Sequence, residues 1–254
     1  MSQDKEAVRP DRSAQAMDFP GRELYTIGGA ASLGIALMYL SAMAVYLPAM
    51  RQGPTPVTVV EWFTLLQSNP LAGLYFLGFA DIPIVILFGP VALALRAALE
   101  RVSQTWTTIA APLAFVGMAV YLASNSSFSM LSLSSEYAAA TTSAQQAAIV
   151  AAGHALISLT RGTANAAGMG LIWLASLVFS ILMLRSRELG RAAAWIGILS
   201  FSLLVPGFLF SGYTYGMTSG VGPAMAIVTS LGGGLLSLVW YILVGLRLLK
   251  IGRL

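Results

Sequence analysis

The sequence predicts an all-α protein, an integral membrane bundle of six transmembrane helices with two short outer-face helices. Of its 254 residues, 57% are hydrophobic and only 9% are charged, whereas charged residues make up about 25% of an average soluble domain. The mean hydropathy is +0.79. The apolar residues also fall into stretches of the length that crosses a bilayer, about 20 residues. These observations exclude a soluble enzyme and a nucleic-acid-binding domain, and they make the lipid bilayer the expected partner.

The charge-free stretches define the six predicted spans. The predicted spans are residues 26–49, 71–95, 106–126, 163–184, 192–212 and 224–249. They lie in a transmembrane domain of residues 24–254 that follows a predicted disordered cytoplasmic tail, residues 1–23. The last two spans come from one uncharged stretch, residues 192–246, which is too long for a single pass. The turn-forming residues 211–216 and Pro223 divide it.

The distribution of basic residues favours an orientation with both termini in the cytoplasm. With six spans and the N-terminus inside, twelve of the Lys and Arg residues fall on the cytoplasmic side. Only Arg51 and Arg161 fall on the outer side. Cytoplasmic loops of membrane proteins carry an excess of Lys and Arg, so the split of 12 to 2 supports this topology.

Two loops on the outer side contain helical patterns that are too short to cross. Residues 144–159 are Ala-rich but hold two Gln and the only histidine of the chain. A capping box, formed either by Thr142 with Gln145 or by Ser143 with Gln146, marks the start of this helix. In the first outer loop, Thr55 suits an N-cap. The proline that follows it suits the first helical position.

A resemblance to a known family emerges from residue 125 onward. The segment NSSFSMLSLSSEYAAATT at residues 125–142, followed by AQQAA at 144–148 and AAGHAL at 151–156, resembles uncharacterised bacterial integral membrane proteins known as domain of unknown function 4386. The segments RGT at 161–163, MLRS at 183–186 and AWIG at 194–197 are similar to the same family. The resemblance covers most of residues 70–250. It implies a bacterial plasma (inner) membrane location and no particular activity.

Asp81 is the most distinctive candidate site residue. It lies ten residues into the second predicted span, near the middle of the membrane, where a carboxylate costs about 2.5–3.5 kcal/mol. Pro83 is expected to free the backbone carbonyl of Phe79 and to place further polarity beside the acid. The functional interpretation is a proton or cation site. The alternative is a protonated acid that donates a hydrogen bond to a neighbouring helix, with Ser41, Ser202 or Thr229 as acceptor.

Five further polar residues fall in or near the predicted outer loops. His154 and Arg161 are seven residues apart, on one face of a helix that runs that far, and Glu136 precedes them. Asn125 and Asn165 lie where the third and fourth spans meet the outer surface. Together they form a hypothetical pocket for a small or amphiphilic ligand. The alternative is that all five are loop residues in contact with water or lipid headgroups.

Composition narrows the function further. The chain has no cysteine and one histidine, which argues against disulfides, metal sites and haem, so no cofactor or metal is expected. The sequence favours a small-solute or proton-coupled carrier over its alternative, a non-catalytic membrane subunit or accessory protein. An enzyme that acts on lipid is the third hypothesis. It rests only on the polar residues of the outer loops. Faces of small residues on several helices suggest a homo- or hetero-oligomer.

Overall fold

The computed structural model describes residues 20–52, 56–160, 162–214 and 232–253, which form ten α-helices and no strand. The helices are α1 (Pro20–Gln52), α2 (Val59–Ser68), α3 (Pro70–Phe76), α4 (Asp81–Leu99), α5 (Gln104–Ser124), α6 (Ser127–Ala139), α7 (Ser143–Thr160), α8 (Thr163–Met183), α9 (Arg191–Thr214) and α10 (Gly233–Gly252). The predicted all-α fold is confirmed.

Six of these helices pack side by side into a closed ring. The order around the ring is α1, α4, α5, α8, α9 and α10, and α10 returns to α1. Five stretches of the described residues are long and apolar enough to cross a membrane, and Arg191–Pro206 is the apolar part of α9 whose side chains the structure describes. The five stretches are Arg22–Tyr46, Asp81–Leu99, Gln104–Ala139, Ser143–Met183 and Gly233–Gly252. Apolar helices of this length are typical of a membrane protein.

Glycines allow the ring helices to approach closely. A Cβ atom at Gly29 would lie 2.9 Å from the carbonyl oxygen of Gly245, where α1 crosses α10. A Cβ atom at Gly117 would lie 2.7 Å from the carbonyl oxygen of Gly168, where α5 crosses α8. Both distances are shorter than real Cβ contacts, so these two crossings require residues without a side chain. Small residues of this kind let helix backbones pack closely in membranes.

The four shorter helices, α2, α3, α6 and α7, form a second layer at one end of the ring, here named the capped end. Their side chains build a separate apolar core that includes Trp62, Phe63, Leu66 and Met130. A Cβ atom at Gly153 in α7 would lie 2.5 Å from a side-chain carbon of α2, so these two helices pack tightly. The sequence predicted two outer helices, whereas the described residues contain four.

The second predicted span is where the prediction was wrong. Residues 71–95 do not form one helix, because α3 ends at Phe76 and α4 begins at Asp81. The chain turns at Gly78, whose φ of +83° lies in the left-handed region that glycine adopts most readily. Asp81 is therefore the first residue of α4 and does not lie ten residues into a span. Since α4 has 19 residues and a rise of about 1.5 Å each, Asp81 lies about a full hydrocarbon thickness from Leu99.

The other predicted boundaries agree better with the structure. The spans predicted at 26–49, 106–126, 163–184 and 192–212 correspond to α1, α5, α8 and α9. Residues 20–23 of the predicted tail belong to α1, and residues 1–19 lie outside the described residues. So do residues 224–231 of the last predicted span.

In the second layer, the N-cap of α7 agrees with the prediction, whereas the N-cap of α2 differs from it. In α7 the backbone N–H of Gln145 donates to Thr142 at 3.2 Å, and Thr142 N–H donates back to Gln145 at 3.3 Å, which is the predicted capping box. In α2 the N-cap is Thr58 and not Thr55, so the helix starts three residues later than predicted. Glu61 completes that second capping box, which sequence reasoning overlooked.

Basic residues gather at the opposite end of the ring, here named the basic end. There the start of α1 meets the end of α10, since a Cβ atom at Gly252 would lie 3.1 Å from the carbonyl oxygen of Arg22. The α8–α9 connection joins them, because Gly190 lies against the guanidinium of Arg247. The basic residues carried by these segments, by the end of α4 and by the α4–α5 turn are Arg22, Arg96, Arg101, Arg185, Arg187, Arg191, Arg247, Lys250 and Arg253. The fold thus collects them on one side.

Candidate functional site

The turn between α3 and α4 places Asp81 at the start of a helix. Three backbone hydrogen bonds fix this turn: Gly78 N–H to Tyr75 at 3.0 Å, Phe79 N–H to Leu74 at 3.0 Å, and Asp81 N–H to Gly78 at 3.2 Å. The positive end of the α4 dipole then lies beside the Asp81 carboxylate and favours its negative charge. The carbonyl of Phe79 accepts a hydrogen bond from the N–H of residue 82 at 3.2 Å. It is thus not free, contrary to the expectation from Pro83.

Helix α5 holds the carboxylate and the turn together. The hydroxyl of Tyr121 donates to Oδ2 of Asp81 at 2.7 Å. One helical turn later, Nδ2 of Asn125 donates to the carbonyl of Gly78 at 3.0 Å. Oδ1 of Asn125 in turn accepts hydrogen bonds from the backbone N–H and the hydroxyl of Ser127, at the start of α6. The end of α5 thereby positions both the acid and the loop that carries it.

Asp81 also lines a cavity of about 190 Å³ between α1, α4 and α10. Its walls are mostly apolar, and Asp81 supplies their one charged side chain among the described residues. The lining residues are Tyr39, Ala42, Met43 and Tyr46 of α1, Ala80, Asp81 and Ile84 around the start of α4, and Gly234, Leu235 and Leu238 of α10. All three helices contribute from the half of the ring nearer the capped end.

One carboxylate oxygen of Asp81 has no protein partner in the described part of the chain. Oδ2 accepts the Tyr121 hydrogen bond, and no described residue donates to Oδ1. The hydroxyl of Tyr46 does not serve Asp81, because it donates to the backbone carbonyl of Tyr75 at 2.5 Å. Tyr39 stacks on Tyr241 with ring centroids 6.0 Å apart. A carboxylate accepts several hydrogen bonds, so Oδ1 has capacity for a ligand in the cavity.

This arrangement suits a proton or a cation. A carboxylate in apolar surroundings is costly unless it is neutralised by a proton or paired with positive charge. Aromatic rings such as those of Tyr39 and Tyr46 attract cations through their negative faces. The carboxylate and the two rings line the same cavity. The site can thus exchange a proton or hold a small positive group.

The predicted partners of Asp81 are not those that the structure shows. Ser41 donates to the carbonyl of Met38 at 2.8 Å and lies 3.4 Å from the hydroxyl of Tyr75. Ser202 is exposed and Thr229 lies outside the described residues. The prediction placed Asp81 in the middle of a span, so the partners proposed for it lie at mid-membrane depth. Its partner in the structure is Tyr121, near the end of α5.

Among the described residues, no hydrogen bond or ion pair joins the members of the five-residue outer pocket to one another. Asn125 joins Asp81 through the turn, and Asn165 is partly buried near the start of α8. Glu136 is exposed and accepts a hydrogen bond from Ser132 of its own helix at 3.2 Å. His154 is exposed on α7, and no hydrogen bond or ion pair joins it to Glu136 in the described part of the chain. Arg161 lies outside the described residues.

Comparison of the chain with protein-family models, with curated proteins and with solved structures finds no match. The function is therefore inferred from the geometry of the site alone. Among the described residues, no group of three or more His, Asp or Glu side chains is placed to hold a metal ion. The expected absence of metals and cofactors stays a prediction for the whole chain.

Proposed function

We propose that this membrane protein is a carrier for a small solute, and that Asp81 binds either the positive charge of the solute or a coupling proton. A single observation carries the proposal: a carboxylate, one of whose oxygens accepts no hydrogen bond from the described residues, lines an apolar cavity between three ring helices. Ionisable groups within transmembrane segments are rare and mark ion, proton or substrate pathways.

The apolar walls favour a solute that combines positive charge with hydrocarbon surface. Ala42, Met43, Ile84 and Leu238 present apolar surface to the cavity, and Asp81 presents the opposite charge at one side. Such a pocket orients a ligand through few polar groups and binds the rest through hydrophobic contact. An inorganic anion would meet the carboxylate, and none of the described lining residues is basic, so an anion is not the substrate that we propose for this cavity.

We further propose that the chain crosses a bacterial plasma membrane six times, with both termini in the cytoplasm. The support is the basic end, which holds the start of α1, the α8–α9 connection and the end of α10. Under this orientation the Asp81 cavity lies in the outer half of the bilayer. A phosphatase reporter fused after Arg253 is expected to be inactive, because alkaline phosphatase acts only outside the cytoplasm. An active reporter at that position would contradict the orientation.

The carrier proposal is tested by uptake into proteoliposomes. The probe is radiolabelled tetraethylammonium, a permanently charged organic cation, driven by an imposed pH gradient. Wild-type protein is expected to accumulate the probe above protein-free liposomes, and Asp81→Asn is expected to reduce uptake to the protein-free level. Glu136→Gln is the matched control, because it removes an exposed carboxylate of the second layer. Uptake by Asp81→Asn equal to that of Glu136→Gln would contradict the assigned role of Asp81.

A further inference from the structure

A second pocket lies at the basic end, far along the ring from Asp81. Its volume is about 540 Å³. The α4–α5 turn forms one wall through Glu100, Arg101 and Val102. The α8–α9 connection forms the opposite wall, and Tyr25 of α1 and Ile251 of α10 complete it. Two connections and the ends of the ring helices α1, α4 and α10 thus surround this basic pocket.

Three arginines give the basic pocket its character. Arg101, Arg185 and Arg187 line it together with two carboxylates, Glu100 and Glu188. No ion pair joins any of the three guanidinium groups to a carboxylate among the described residues. Each guanidinium presents a planar fork of N–H donors that matches the oxygens of a phosphate group. The three side chains therefore offer donors to an anion that enters the pocket.

Exposed tryptophans near the pocket indicate that it lies at the depth of lipid headgroups. Trp106 and Trp195 stand at the starts of α5 and α9, the helices that follow its two walls, and each is more than half exposed. Exposed tryptophans at helix ends mark the interface between hydrocarbon and water. Ala97, Ala98 and Val102 supply apolar surface beside the arginines. The pocket thus combines guanidinium donors with an apolar wall, which matches the charged headgroup and the apolar acyl chains of a phospholipid.

We propose that the basic pocket is a binding site for an anionic phosphate group, carried either by a phospholipid headgroup or by a soluble phosphate compound. Basic pockets between transmembrane helices at the cytoplasmic face bind such headgroups. The proposal does not depend on Asp81 or on transport, because no residue of the Asp81 cavity lines this pocket.

Native mass spectrometry of the full chain in a neutral detergent tests the proposal. The probes are phosphatidylglycerol, which is anionic, phosphatidylcholine, which is zwitterionic, and inorganic phosphate. The test variant is Arg101→Gln with Arg185→Gln and Arg187→Gln. The matched control removes three exposed basic residues of the same end that do not line the pocket, as Arg96→Gln with Lys250→Gln and Arg253→Gln. A third variant, with lysine at the three pocket positions, keeps the charge in case the test variant does not fold.

Wild-type protein is expected to bind phosphatidylglycerol at least tenfold more tightly than phosphatidylcholine. Each basic residue near an anionic group contributes roughly fivefold in affinity, so the test variant is expected to lose on the order of a hundredfold. The control is expected to stay within about fivefold of wild type, and the lysine variant, which keeps the charge but loses the planar fork, is expected to bind more tightly than the test variant. Competition by inorganic phosphate would assign the site to a soluble phosphate compound, and its failure to compete would assign it to lipid. Equal binding by test and control variants, or no preference for the anionic lipid, would overturn the proposal.

Discussion

The crossing of α5 and α8 makes a sharp prediction about a single methyl group. A Cβ atom at Gly168 would lie 2.6 Å from the backbone nitrogen of Tyr121 and 2.9 Å from the carbonyl oxygen of Gly117. Both are backbone atoms, so no side-chain rotation relieves the clash. Ordinary contact begins near 3.4 Å, and Gly168→Ala must therefore push the two helices apart by about 0.8 Å.

The size of the effect follows from a matched substitution on the same helix. A Cβ atom at Gly170 would meet no atom within 4 Å, so Gly170→Ala adds a methyl group without a clash. Both substitutions gain the same helix propensity, about 1 kcal/mol over glycine, and this gain cancels in the comparison. Overpacking costs about 1–3 kcal/mol, which is the expected difference in the free energy of unfolding between Gly168→Ala and Gly170→Ala.

Thermal unfolding in detergent measures this difference. At about 2–4 °C per kcal/mol for a chain of this size, Gly168→Ala is expected to unfold several degrees below Gly170→Ala. Gly170→Ala is expected to match or exceed wild type. Because Tyr121 lies at the same crossing and holds Asp81, Gly168→Ala is also expected to weaken cation uptake. Equal unfolding temperatures for the two variants would refute the close crossing of α5 and α8.

Three further predictions concern the site and the second layer. Tyr121→Phe removes the hydrogen bond to Asp81 and is expected to destabilise the wild-type chain by about 1.5–3 kcal/mol. In an Asp81→Leu background the same substitution is expected to have little effect. A double-mutant cycle in thermal unfolding measures this difference. Gly78→Ala forces a side chain into a backbone with φ of +83°; it is expected to cost about 1 kcal/mol or more and to reduce cation uptake. The backbone N–H groups of residues 57 and 58 donate hydrogen bonds to Glu61 and lower its pKa. The capping box of α2 therefore contributes its full stability at pH values above the ordinary Glu pKa near 4.3. This contribution is lost as the pH falls through the lowered pKa. The protection factors of the α2 amides, which are corrected for the intrinsic slowing of exchange in acid, are therefore expected to fall at acid pH in wild type. A Thr58→Ala variant, which lacks the hydroxyl of the box, is expected to show lower protection factors already at neutral pH.

The helical bundle was predictable because helices in a lipid bilayer appear in the sequence as long apolar stretches bracketed by charged residues. A helix needs about 20 apolar residues to cross, and the charges that bracket α5 and α8 located both helices to within two residues at each end. The capping box of Thr142 and Gln145 was predictable for a similar reason, since its spacing is local. The structure also gathers basic residues at one end of the ring, whereas the orientation of that end in the membrane stays a prediction.

The site was harder to predict because it depends on contacts between residues far apart in the chain. Gly78 gave a local signal that was overlooked: a glycine three residues before an acid and five before Pro83 is compatible with a helix break. The pairing of Tyr121 with Asp81 spans 40 residues, and no periodicity reveals it. The basic pocket was equally hidden, because its arginines come from two connections that meet only in the folded ring.

The central claim is that Asp81 gives the ring cavity a negative charge that attracts cations. The chain has no cysteine, so Met43→Cys places a single thiol in the wall of that cavity. We predict that a cationic methanethiosulfonate reagent labels it faster than an anionic one by tenfold or more, after normalisation to their rates with a free thiol. Asp81→Asn in the same chain is expected to remove this preference, and Phe88→Cys, buried in the ring, is expected to stay unlabelled. Equal normalised rates for the two reagents at Met43→Cys, or a preference that survives Asp81→Asn, would contradict the claim.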